Sequence, residues 1–137
     1  MAEVVRLSFS IDEILERKLE DLVARSGYTN RSEFIRDMIR DRLVEQQWAQ
    51  GREAVGAITL VYEHDARGLH DRLVELQHEH HDLILASTHV HLDRHRCAEM
   101  VLARGPGETI RQIADLLRQQ KGVLHGTLSM SSTGEEL

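Results

Sequence analysis

The sequence predicts an α+β chain in two parts: a strand and two helices within residues 1–48, then a βαββαβ run within residues 54–132. Three observations predict it. Residues 4–11 alternate apolar and polar side chains, and two stretches with apolar residues at helical spacing follow. Beyond a polar joint, strand-like and helix-like patterns succeed one another to residue 130. Six of the nine histidines and the only cysteine crowd into residues 77–97, which marks that second part as the place of a transition-metal site.

The elements follow in order. Val5, Leu7, Phe9 and Ile11 share one face of the first strand, and Arg6, Ser8 and Ser10 share the other, because successive side chains alternate. Asp12 is placed to cap a helix starting at Glu13, with Ile14, Leu15, Leu19, Leu22 and Val23 on one side. Gly27 ends it. Asn30, with Glu33 three residues on, gives a variant capping box for a second helix over residues 31–47. Phe34, Ile35, Met38, Ile39 and Leu43 form its buried stripe.

Fewer than fifty residues with one strand do not close a core. The unpaired strand needs a partner, and the economical one is the same strand of another chain. A two-fold antiparallel ribbon would show Arg6, Ser8 and Ser10 twice on one face, with groups suited to base edges in a major groove. This order, strand, helix, Gly27-Tyr28-x-Asn30-Arg31-Ser32-Glu33, helix, resembles the ribbon-helix-helix repressors. The resemblance implies that the ribbon enters the major groove of operator DNA. It also implies that Arg31, Ser32 and the N-terminus of the second helix contact phosphate, where free N–H donors favour anions. Residues 1–48 carry eight Lys and Arg against ten Asp and Glu, so binding would rest on a few placed groups. Glu33 and Asp37, four apart on one helix face, offer a possible weak site for a hard cation such as K⁺, which the resemblance supports.

Residues 49–53 form a linker containing Gly51. Strands are expected at 55–62, 83–92, 97–102 and 123–130. Helices are expected at 67–79 and 108–120, the second after a Gly105-Pro106-Gly107 turn. The order is the ferredoxin-like split βαβ pattern. Residues 133–137 read as a disordered tail.

His89 and His91, two apart on a strand, point to one face. A hairpin turning near Arg94 places residue 97 opposite residue 91, so the Cys97 thiol joins both imidazoles. Such donors suit a borderline or soft divalent metal, Zn, Cu or Ni. His78, His80 and His81 lie at the preceding helix end, about 23 Å away along seven residues of strand. The fourth ligand is therefore water or a histidine from another subunit.

A ribbon-helix-helix head followed by a βαββαβ domain carrying H-x(10)-H-x-H-x(5)-C is similar to the nickel-responsive regulators over nearly the whole chain. The resemblance implies a ferredoxin-like (ACT-type) domain that binds nickel and builds a homotetramer, a dimer of dimers. It implies one square-planar Ni²⁺ per subunit, held by His89, His91 and Cys97 of one chain and His78 of another. It further implies a nickel-dependent repressor of nickel uptake genes, bound to a palindromic operator. Glu79 interrupts what some members have as an unbroken His run, and His95 is left as an alternative ligand. His80, His81 and His125 receive no role.

A net charge of −6 argues against broad nucleic-acid binding but not against a local reading element. One cysteine excludes an intrachain disulfide framework and fits a reducing compartment. No signal-peptide pattern and no membrane-length apolar run are present, so a cytoplasmic protein is expected. No phosphate loop, nucleophile elbow or small-molecule site is recognised. The readings from other classes are a zinc- or copper-binding metalloenzyme and a metal store. The first lacks a held general base, and the second leaves the Arg6, Ser8 and Ser10 face unexplained.

Overall fold

The computed structural model describes residues 2–137 and divides them into two units, at Asp41 and Arg42. In the first unit the capping signals act as expected. The Asp12 carboxylate accepts the Leu15 N–H at 2.9 Å and starts α1 (Glu13–Arg25). Ser26 closes it, and Gly27 follows at φ 78°, a left-handed conformation that glycine adopts without Cβ strain. Asn30 accepts the Glu33 N–H at 2.9 Å and starts α2 (Arg31–Ala49). The Tyr28 ring meets Phe34 edge-on at 5.7 Å.

Residues 4–11 do not form a strand in the single chain. Val5, Leu7 and Phe9 are 73%, 82% and 63% exposed. A strand is a paired object, and one chain offers this segment no ladder of donors and acceptors. Among the described residues of the first unit none is buried. Leu19, Val23, Phe34 and Ile35 of its apolar stripe are half-buried, while Ile14, Leu15, Leu22, Met38 and Ile39 stay exposed.

The expected end of the second helix also moves. α2 continues through the predicted division, and Gln47 and Trp48 are buried in the second unit. Trp48 packs with Ala54, Ala103 and Ile110, and its indole N–H donates to the Ser131 carbonyl at 2.8 Å. Burying that ring outweighs the polar look of its neighbours. The 133–137 tail is likewise held. The Gln47 amide donates to the Glu135 carbonyl at 3.2 Å, and Arg52 pairs with Glu136 at 2.5 Å.

The second unit is a four-stranded sheet with two helices. Its order is β1 (Glu53–Glu63), α3 (Leu69–Glu79), β2 (Ile84–His91), β3 (Arg96–Pro106), α4 (Gly107–Arg118), β4 (Val123–Ser131). The sheet runs β2-β3-β1-β4, with every neighbouring pair antiparallel. This is the expected split βαβ arrangement. In β1 and β3 every second residue is buried. Ile58, Leu60, Tyr62, Cys97 and Val101 of that face pack with Leu69 and Leu73 of α3 and Ile113 and Leu117 of α4. Each fully buried aliphatic side chain contributes about 1.5–3 kcal/mol.

The Gly-Pro-Gly segment is not a turn. β3 runs to Pro106 and α4 begins at Gly107. A Cβ on Gly107 would lie 2.9 Å from the Trp48 ring and 3.3 Å from its Cα, so this glycine serves a close approach. The opposite face of the sheet carries Val90, Ala98, Met100 and Leu102, with Val90 49% and Met100 53% exposed. No helix packs on that face among the described residues.

Candidate functional site

The β2–β3 hairpin has the expected register. His91 pairs with Cys97, and His89 with Glu99. Asp93 fixes the turn by accepting from the backbone N–H groups of His95 and Arg96, each at 2.8 Å, and from the Arg96 guanidinium at 2.6 Å. The Arg96 guanidinium and then these N–H groups hold its carboxyl at a pKa of about 2. The hairpin therefore presents β2, an edge strand, with its histidines toward the helix-bearing face.

Cys97 is fully buried, and two imidazoles meet its sulfur. His91 Nδ1 lies at 3.4 Å and His64 Nδ1 at 3.3 Å. The donor atoms of His64, His91 and Cys97 all lie within 4.8 Å of one another. His91 and Cys97 were expected together. His64 was not expected, and His89 is not in this cluster. The His89 ring sits two residues along the strand, 6.1 Å from Tyr62, 5.7 Å from His70 and 5.1 Å from His91.

His64 was missed because it directly follows β1, far from the His-rich stretch. A signal existed in the predicted topology. The split βαβ order puts β1 beside β3, with Tyr62 opposite Cys97 and Glu63 opposite Arg96. The residue ending β1 must then reach the level where β3 begins. His64 does so, its N–H donating to the His95 carbonyl at 2.6 Å.

The donor set fits a borderline metal ion: one thiol and neighbouring imidazoles, with a buried polar group left over beside them. The Tyr62 hydroxyl is buried without a hydrogen-bond partner, and such an orphan invites an ion or water. Burial, and next the Glu99 carboxylate, push its pKa up to about 12, so it stays a neutral donor. Glu99 is itself buried and accepts from the Gln77 amide at 2.5 Å. Burial and the nearby Asp65, Asp93 and Glu99 raise the Cys97 thiol above its ordinary value. A metal must therefore displace a proton to gain the thiolate.

His78 does not reach the thiol of its own chain. It lines an open groove with His70, His81 and His89, but its ring is beside His81, at 6.0 Å. Since His70 stands beside His89, eight helical residues at 1.5 Å each place His78 about 12 Å further along α3. That is half the span expected along the strand, and still too far to share an ion. His81 Nδ1 contacts the His78 carbonyl at 3.1 Å. His95 is turned away, its Nδ1 bonded to Asp65 at 2.8 Å, which raises its pKa. His125 pairs with Val61 in β4.

In the first unit Arg6, Ser8 and Ser10 are exposed. Arg31 is engaged by Glu20, and the Ser32 carbonyl accepts from Arg36 at 3.3 Å. Glu33 meets the Thr29 hydroxyl at 3.4 Å. Asp37 accepts from the Tyr28 hydroxyl and pairs with Arg40 at 3.5 Å. Tyr28, Glu33, Arg36, Asp37 and Arg40 line one small depression.

Comparison with known proteins bears on both units. Residues 55–131 match the family described as "NikR C terminal nickel binding domain", and residues 5–46 match "Ribbon-helix-helix protein, copG family". A protein of Geotalea uraniireducens is 51% identical over 138 residues, covering 100% of this chain and 99% of the relative. One of Geobacter sulfurreducens is 50% identical over the same shares, and one of Pyrococcus horikoshii 46%, over 98% and 99%. All three carry the name of nickel-responsive regulator. Among solved structures, an uncharacterised protein from Thermotoga maritima shares the fold alone. Its TM-score is 0.52 at 19% identity, over 58% of this chain and 98% of that one.

Proposed function

The chain belongs to the nickel-responsive regulator family, and from that premise we propose a nickel-dependent repressor whose operator binding is switched by nickel held between subunits. His89, His91 and Cys97 of one subunit and His78 of another would supply the donors. Bound there, nickel would supply a link between subunits that neither offers alone. The observation that carries this reading is the His91–Cys97 pair. The register of the hairpin sets a buried thiol 3.4 Å from an imidazole, with His89 one alternation further along the same face. His78, about 12 Å off in its own chain by helical rise, is free to serve a neighbour.

Two unpartnered surfaces support a homotetramer, built as a dimer of dimers. The first unit leaves Val5, Leu7 and Phe9 exposed, and pairing two copies would bury them and complete a ribbon. The helix-free sheet face, with Val90, Met100 and Leu102, suits a second interface. In the ribbon, Arg6, Ser8 and Ser10 would read base edges of a palindromic operator. Arg31 and Ser32 at the start of α2 would hold phosphate, Arg31 exchanging Glu20 for it. Glu33 and Asp37, beside the Tyr28 hydroxyl, would offer oxygens to a hard cation such as K⁺.

One nickel per subunit would favour the subunit arrangement in which both ribbons reach their half-sites, because only differential affinity shifts an equilibrium. Genes for nickel uptake are the fitting targets, since excess metal would then shut its own entry. The protein would act in the cytoplasm, where its DNA is and where its cysteine stays reduced. No helix among the described residues is long and apolar enough to cross a membrane. Operator capture from fragmented genomic DNA, with and without Ni(II), tests the reading. It predicts enrichment of palindromic sites only with nickel. Equal enrichment without metal, or none with it, would sink it.

A further inference from the structure

The third donor at the Cys97 sulfur is His64, and the four-ligand set just described has no use for it. We propose that His64, His91 and Cys97 form a second, single-subunit metal site for Zn(II), mutually exclusive with the nickel site between subunits. The proposal rests on the nickel reading only in taking His91 and Cys97 as shared between the two sets.

Both imidazoles turn Nδ1 to the same sulfur, at 3.3 and 3.4 Å, and their rings stand at 74° with centroids 5.0 Å apart. With Zn–N near 2.0 Å and Zn–S near 2.3 Å, tetrahedral donors lie about 3.5 Å apart. Neighbouring donors of a planar centre of the same bond lengths would lie about 3.1 Å apart. The 3.4 Å contact of His91 is nearer the tetrahedral value, and the 3.3 Å contact of His64 lies midway between the two. The donors come from one chain, from the end of β1 and the β2–β3 hairpin. The sulfur is buried while His64 and His91 are exposed, so an ion can enter from solvent and keep a water as fourth ligand. Binding would release the thiol proton to solvent and leave one thiolate, two neutral imidazoles and a water on the ion.

The consequence is discrimination between metals. An ion content with three protein donors and a water fills the single-subunit set, withholds His91 and Cys97 from the other, and leaves His78 unused. It therefore supplies no link between subunits. An ion that needs four protein donors must draw on His89 and on a neighbour's His78, and only that ion is read as a signal. One thiol would thus sort metals by the number of protein ligands they require.

Zinc and nickel titrations of the tetrameric protein against a chromophoric chelator test this with two variants. His64→Ala should lose zinc affinity by more than the roughly 10–100-fold that loss of an outer-shell partner costs, and keep wild-type nickel affinity. His78→Ala should do the reverse. His64→Gln, which keeps a polar side chain of similar reach, should repeat the His64→Ala result and guards against a folding defect. Wild-type zinc affinity in both His64 variants would overturn the proposal, as would loss of zinc by His78→Ala. Loss of nickel by His64→Ala together with zinc would overturn the exclusivity of the two sets. Failure of the nickel reading would appear separately, as unchanged nickel affinity in His78→Ala.

Discussion

Replacing Cys97 by alanine separates its role in the core from its role in metal binding. The side chain is fully buried among Tyr62, Val101 and the inner faces of α3 and α4. Removing one sulfur costs about 1 kcal/mol in lost burial and residual cavity. In a chain of this size 1 kcal/mol moves Tm by roughly 4 °C, so the metal-free variant should melt about 4 °C below wild type and remain folded. Nickel at a hundred times its Kd stabilises a site-bearing protein by about 2.7 kcal/mol, or roughly 10 °C at 4 °C per kcal/mol. Wild type should show that increment and Cys97→Ala should show none. The assay is thermal unfolding with and without Ni(II), followed by a gel shift on an operator fragment. A nickel increment of wild-type size in Cys97→Ala would refute the reasoning, even if the apo stabilities came out as expected.

Three further outcomes follow from the same geometry. Arg6→Ala should weaken operator binding by about 1–3 kcal/mol and relax specificity at the base it reads, whereas Arg31→Ala should weaken binding to all sequences and flatten the salt dependence; a set of single-base operator variants at several salt concentrations distinguishes the two. Gly107→Ala should cost about 1–3 kcal/mol through overpacking, because the new Cβ meets Trp48 at 2.9 Å, and chemical denaturation measures it. Because burial keeps the Cys97 thiol protonated near neutrality, nickel affinity should rise about tenfold per pH unit below the thiol pKa, with about one proton released per ion; calorimetry in buffers of different ionisation enthalpy reads that proton directly.

The parts of the fold that were legible in the sequence are those fixed by local rules. Asp12 and Asn30 cap their helices because a side-chain oxygen three residues from a free N–H has one good use. The succession of strand-like and helix-like patterns gave the second unit its topology, and the hairpin register put His91 opposite Cys97. What escaped depends on contacts distant in sequence. Trp48 stood just past the expected end of the second helix, outside its apolar stripe, until the sheet was there to receive it. Gly107 looked like turn chemistry, when its missing side chain makes room for that same indole. His64 belongs to the metal cluster only through the pairing of β1 with β3. Residues 4–11 carry a strand pattern whose partner, by the argument from sequence, is outside the chain, so in a single subunit the pattern has no ladder to join.

The central claim is that the nickel site is divided between subunits, and mixing two defective chains tests it most directly. His78→Ala keeps His89, His91 and Cys97 but offers a neighbour nothing. Cys97→Ala keeps His78 but lacks the thiol. Each alone should give no thiolate-to-nickel absorption from a four-ligand site. Refolded together in equal amounts, the two should regain about one quarter of the wild-type absorption, because about half of the two-fold interfaces pair unlike chains and each of those completes one of its two sites. Full absorption from His78→Ala alone, or none from the mixture, would contradict a site built from two subunits.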